Sequence, residues 1–173
     1  FGYNESGRLF NWLIANPERA QEVIAGLEKE IEADPTNADL RVALATAWVG
    51  EVLNVPDGPQ RGTVWMKAQA AYDKAIELEP NHWQARYGKA FGVSMAPELL
   101  GLRPQAIKQF EELRVRQEQG APEPHHEQTY FRLGTLYKDA GNAEKAQEIW
   151  NDGLRRFPSS ELLKGTLEVS TKK

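Results

Sequence analysis

Apolar residues return every three or four positions along almost the whole of this chain, and alternating runs that could serve as strands are few, which confines it to an all-α fold. The spacing predicts about nine helices. Asn16-Pro17 reads as a helix opening, because asparagine accepts a bond from free amide groups and proline fills the first turn without wasting a donor. The helix that follows runs to about Ala33. Asp34-Pro35, Glu79-Pro80 and Phe157-Pro158 each end an amphipathic run, since proline cannot continue the hydrogen-bond ladder. The stretch Asn54 to Gly62, with Pro56, Gly58, Pro59 and Gly62, reads as a loop, as does Gly120 to Pro124; Met95 to Arg103 is a weaker interruption.

One 34-residue stretch, Glu127 to Ser160, carries the pattern in its clearest form. Tyr130, Leu133, Gly134 and Tyr137 share one face of a first helix, and Ala146, Trp150 and Gly153 share one face of a second, with Gly141-Asn142 as the turn between them. Gly134 and Ala146 are small enough to let two antiparallel helices approach closely, and the bulky neighbours fill the space around that contact. Gly153 leaves room for a further helix. This stretch resembles a tetratricopeptide repeat at nearly every signature place.

The resemblance extends more loosely to about residue 17. An earlier unit, 38–80, matches through Ala45, Trp48, Ala68, Tyr72, Ala75 and Pro80, with an insertion of about eleven residues centred on 54–62. A middle unit, 81–118, carries Ala90, Ala106, Phe110 and Leu113, but has Arg86 and Lys89 where an aromatic residue and a leucine are usual. Residues 1–35 read as a degenerate leading pair, with Val23, Leu27 and Ile31 as one buried stripe and Phe10, Trp12 and Leu13 supplied by the helix before. Leu162, Leu163 and Leu167 suggest a capping helix over 161–170. All of this is expected to form one domain, 1–173, since 173 residues that are 40% hydrophobic can bury one substantial core.

The absence of cysteine excludes disulfides, thiolate metal sites and thiol catalysis, and leaves cytoplasm and periplasm equally open. A net charge of -4 lacks the basic excess of a chain that neutralises many phosphates, so nucleic acid is disfavoured. The longest strongly apolar run, Val42 to Val49, is too short to span a bilayer. A chain that begins at Phe1 is expected to be a processed product or an excised domain.

What the resemblance implies is a right-handed α-solenoid of antiparallel helix pairs, whose concave wall is made by the first helix of each pair and binds peptides or helices. By spacing, the residues on that wall are Asp39, Val42, Thr46 and Val49, then Gln84, Tyr87, Phe91 and Met95, then Gln128, Phe131, Thr135 and Lys138. An exposed stripe of Val42, Tyr87, Phe91, Met95 and Phe131 marks a binding surface. The alternative is that the 54–62 loop, or the first helix folding back, covers it. One subgroup of the family grips a terminal carboxylate with lysine and asparagine side chains; Val42, Thr46, Gly88 and Gln128 stand in those places here and only Arg132 is kept, which argues against that mode. A hydrophobic helix or extended apolar peptide, with Arg132 and Lys138 receiving an acidic group, suits these residues better.

No cofactor is expected. His125 and His126 diverge by about a hundred degrees on a helix, which does not converge on one metal ion. No Ser-His-Asp order, phosphate loop or paired carboxylates can be singled out, so the expectation is a non-enzymatic scaffold for a protein or peptide partner. The rival reading is a self-assembling module that makes a homo-oligomer through the same apolar surface or the leucines of the last helix.

Overall fold

The structure, a computed structural model, describes residues 3–171. Among them are nine α-helices and no strand: α1 (Tyr3–Ala15), α2 (Ala20–Ala33), α3 (Ala38–Asn54), α4 (Pro59–Leu78), α5 (Trp83–Ser94), α6 (Arg103–Gln117), α7 (Glu127–Asp139), α8 (Ala143–Arg156) and α9 (Glu161–Thr171). Short 3-10 turns at Pro17–Arg19, Glu98–Leu100 and Pro124–His126 lead into α2, α6 and α7. No described helix is long and apolar enough to cross a membrane.

Side-chain caps fix several helix starts. Asn37 Oδ1 accepts from the Leu40 amide at 3.1 Å, Asn142 Oδ1 from Lys145 at 3.0 Å, and Ser160 Oγ from Leu163 at 3.1 Å, each satisfying an amide that the helix itself leaves unpaired. His82 does the same for α5, its Nδ1 accepting from the Ala85 amide at 3.3 Å. Gly141, at φ +82°, makes the tight turn between α7 and α8. Asn16 acts differently from the sequence expectation: its side-chain amide donates back to the Trp12 carbonyl at 2.8 Å, closing α1 rather than opening α2.

The expected loop over 54–62 is mostly helix. Pro59 occupies the first turn of α4, where its missing amide costs nothing, and only Val55–Gly58 links the two helices. The extra residues lengthen both elements instead: α3 has 17 residues against 13 in α7, and α4 has 20 against 14 in α8.

The chain divides into two compact units, Phe1–Gly92 and Val93–Lys173, where the sequence suggested one domain. In the first, α3 pairs with α4, and both α1 and α2 pack on α3. Its core is built from Val42, Ala45, Ala68 and Ala75, none with any exposure, and from Trp48 and Tyr72. Small residues dominate because two long helices meet closely there. Gly88 on α5 extends the same logic, since a Cβ there would meet Cε1 of the Tyr72 ring at 2.6 Å. On α2 the buried stripe is Ala20, Ile24 and Ile31, with Val23 and Leu27 only partly covered; Trp12 on α1 is exposed rather than buried.

In the second unit α7 pairs with α8, α6 packs on α7, and α9 packs on α8. Phe110, Leu113, Tyr130, Leu133, Trp150 and Leu163 are essentially fully buried, and each such side chain contributes about 1.5–3 kcal/mol by leaving water. Gly153 provides the clearance expected of it: a Cβ there would meet Tyr130 at 2.6 Å and Leu163 of α9 at 2.9 Å.

Candidate interaction surfaces

In the first unit the wall positions of α3 and α5 are already occupied. Val42 has no exposure and Thr46 only 4%, so the two residues expected on an open wall are sealed inside the unit. Thr46 Oγ1 donates to the Val42 carbonyl at 2.9 Å. The neighbouring Tyr72 phenol is pushed up to about 12 by burial, against an opposing hydrogen bond with Thr46. Val49 is half-buried and packs against the same core.

The cover is α1. Leu13, 1% exposed, rests on Gly50 of α3: a Cβ built at Gly50 would stand 3.1 Å from the Leu13 Cβ. At the other end of α1, the Tyr3 ring stands steeply to Trp83, at 5.8 Å and 77°, and to Tyr87, at 5.9 Å and 86°. Those two rings lie face to face, 4.6 Å apart, and Tyr87 is nearly parallel to Phe91 at 6.2 Å. Edge-to-face and offset contacts of this kind add to simple area burial, because the positive ring edge meets the negative face. Tyr87 is therefore buried, and Phe91 is half-buried. In the 55–58 link Val55 is buried in the same core as Leu13 and Val42, and its carbonyl accepts from Arg61 Nε at 2.8 Å.

Two polar positions of α5 and α3 are also committed within the unit. Lys89, in the place of the usual leucine, forms an ion pair with Asp73 of α4, and His82 Nε2 lies 3.0 Å from Asp39 of α3.

In the second unit Phe131, Thr135 and Lys138 fall on one face of α7. Phe131 and Thr135 are half-buried and Lys138 is exposed. The Phe131 carbonyl anchors the helix pair by accepting from Trp150 Nε1 at 3.2 Å and from Thr135 Oγ1 at 2.8 Å. The Arg132 guanidinium lies 5.3 Å from the Phe131 ring centre. Met95 is 67% exposed.

A polar cluster stands before α7. Glu123, His125 and His126 bring one potential ligand atom each to within 4.8 Å of the others, and the two rings meet edge to face at 4.7 Å and 85°. The sequence expectation of diverging histidines assumed an α-helix, whereas Pro124–His126 is a 3-10 turn. These are the residues among those described that could hold an ion. Their arrangement already has a structural use, since His126 Nδ1 accepts from the Glu123 amide at 3.3 Å in a capping box. Burial, partly opposed by Glu123, holds the pKa of His125 below the usual histidine range; burial together with His125 does the same for His126.

Comparison with known proteins agrees with this geometry. Residues 127–159, which form the α7–α8 pair, match the family model described as Tetratricopeptide repeat. The thermophilic tetratricopeptide protein TTC0263 of Thermus thermophilus superposes with a TM-score of 0.71 at 15% identity, over 95% of this chain and 80% of that one. The fold is tetratricopeptide-like. MamA is also similar in structure, with a TM-score of 0.64 at 16% identity over 91% of this chain and 80% of its own. No curated protein sequence matches. Within this tetratricopeptide-like frame α3 and α4 form a pair as α7 and α8 do, whereas α1 packs chiefly on α3.

Proposed function

We propose that the protein is a non-enzymatic scaffold that holds a segment of another polypeptide against its first-helix faces. The observation that carries this reading is the aromatic platform Trp83, Tyr87 and Phe91, which with α3 already receives a helix through Tyr3 and Leu13. A surface that binds one amphipathic helix has the shape and apolar chemistry to bind others. Phe131, Thr135 and Lys138 of α7 offer a second such face, with Arg132 and Lys138 suited to an acidic group at its edge. A structural use of the polar groups supports a non-catalytic role: the Tyr137 hydroxyl donates to Glu111, that of Tyr130 to Glu118 at 2.7 Å, and that of Thr129 to Gln117 at 2.8 Å.

The test is capture of proteins from the native cell by the tagged full chain and by Phe91→Glu and Phe131→Glu variants. A defined protein retained by the wild type and lost from either variant, with an unchanged melting temperature, is the expected result. Identical retention by all three chains would overturn the reading. Self-assembly is the competing use of these faces, and light scattering across a dilution series distinguishes it, because only self-association grows with concentration in the purified protein.

A further inference from the structure

Helix α1 combines three features. It lies on α3 and reaches α5, without comparable packing against α2, the helix next to it in the chain. Its inward stripe is Tyr3, Ser6, Leu9 and Leu13, of which Leu9 and Leu13 pack into the core of the unit, while Trp12 and Ile14 are 44% and 51% exposed. Its seat is also imperfect, for the Ser6 hydroxyl is buried with no hydrogen-bond partner.

We propose that the α3–α5 face is a docking site for an amphipathic helix of a partner protein carrying the α1 stripe, and that α1 is its resident, displaceable occupant. The inference rests on the scaffold reading and names the partner's chemistry. Such a helix presents an aromatic residue, a small residue three places on, an apolar residue three places later and leucine four beyond that. Two of these places have a visible acceptor: the Trp83–Tyr87 pair meets the aromatic ring at a steep angle, and the bare backbone of Gly50 takes the leucine. The small place is where a partner can outcompete α1. Alanine there fits the same space without stranding a hydroxyl, and removing an unpaired buried polar group strengthens binding roughly tenfold or more.

A tethered occupant competes through its local concentration, on the order of millimolar for a short link. A free helix that binds the bare face with a Kd of about 10 µM is then weakened about a hundredfold while α1 is in place. Displacement therefore needs a partner with better complementarity, or a weakened α1.

The experiment uses the full chain and, as probe, a labelled peptide of residues 3–15 carrying Ser6→Ala. Because the chain has no cysteine, Leu13→Cys with Gly50→Cys creates a unique pair. The Cβ separation of 3.1 Å is a few tenths of an ångström short of disulfide geometry, and replacing Leu13 removes the Cδ1 that would crowd the new side chain. The reduced chain should bind the peptide at least tenfold more tightly than the oxidised, locked chain. A Leu13→Asp chain should bind it at least tenfold more tightly than the wild type, with a melt showing that the first unit stays folded. Equal binding by the oxidised and reduced chains, or no binding by a folded Leu13→Asp chain, overturns the proposal. Dimerisation of Leu13→Asp in place of peptide binding also overturns it, by making a second copy the occupant. If a native protein is retained equally by locked and unlocked chains, this inference falls while the scaffold reading stands; if neither retains any, the scaffold reading itself falls.

Discussion

Trp150 closes over Gly134 so tightly that a methyl group at position 134 would meet Cε2 of the indole at 2.6 Å. The indole cannot simply step aside, because its Nε1 donates to the Phe131 carbonyl at 3.2 Å and the residue is 2% exposed. Gly134→Ala should therefore lower stability by about 1–3 kcal/mol through overpacking, although alanine is the better helix former by about 1 kcal/mol. Gly26→Ala on α2, where nothing lies within 4 Å, isolates the propensity gain and should stabilise by about 0.5–1 kcal/mol. Urea melts of the two variants check both signs. Stabilisation by both would show that the indole is not fixed in place.

The α7–α8 pair was legible in the sequence because both halves of its packing, the small residues and the bulky ones that cover them, lie within one 34-residue stretch at known helical spacing. The first unit was legible in its helices but not in its surface. Periodicity identifies Val42 and Thr46 as residues on a face of α3, and is silent on which helices cover it; that depends on contacts such as Tyr72 with Thr46 and Leu13 with Gly50, the latter across 37 residues, that no local pattern encodes. The 54–62 stretch misled for a different reason. Proline and glycine read as loop, yet Pro59 begins α4 and Gly62 sits within it with open space where its side chain would be.

Thr129 and Gln117 form a buried bridge between α6 and α7, the Thr129 hydroxyl donating to Gln117 Oε1 at 2.8 Å while Gln117 Nε2 donates to the His126 carbonyl at 3.2 Å. Both residues are below a tenth exposed, so either substitution alone strands a partner. Gln117→Leu should cost about 1–3 kcal/mol, and Thr129→Val a similar amount. The double variant should cost less than the sum of the two, because it removes both halves of one bond. A denaturation double-mutant cycle measures the difference; strict additivity would mean that water replaces the bond without loss.

Acid should weaken the second unit before its carboxylates titrate. Burial and the neighbouring His125 hold the His126 pKa below the usual range, with Glu123 opposing and Arg156 adding to the effect. A pKa depressed by folding means that the unfolded chain binds the proton more readily. The contribution is thus fully present above the unfolded value of about 6.5 and is lost as pH falls through the lower folded value. Protonating Nδ1 also removes the acceptor for the Glu123 amide. Urea midpoints measured from about pH 7.5 down to about pH 5 should fall for the wild type. The fall should be smaller in His126→Asn, which keeps a polar acceptor that does not titrate. Parallel profiles for the two chains would exclude His126 as the source.

Leu13 and Trp12 are adjacent on α1 yet differ in environment, Leu13 being 1% exposed against Gly50 and Trp12 44% exposed. If α1 is seated as the geometry describes, truncating the smaller side chain is the more damaging change. Leu13→Ala removes a buried leucine and leaves a cavity beside α3, which costs about 2–5 kcal/mol when the surroundings cannot collapse. Collapse is partly open here, because α1 can lift as a unit, so the loss should lie at the lower end, about 2 kcal/mol. Trp12→Ala should change stability by less than about 0.5 kcal/mol despite removing the larger group. Amide hydrogen exchange separates the two effects: Leu13→Ala should release protection along α1 and at the covered face of α3, while leaving the α7–α8 pair unchanged. Equal protection of α1 in the wild type and in Leu13→Ala would mean that contacts other than the Leu13–Gly50 socket hold the helix down.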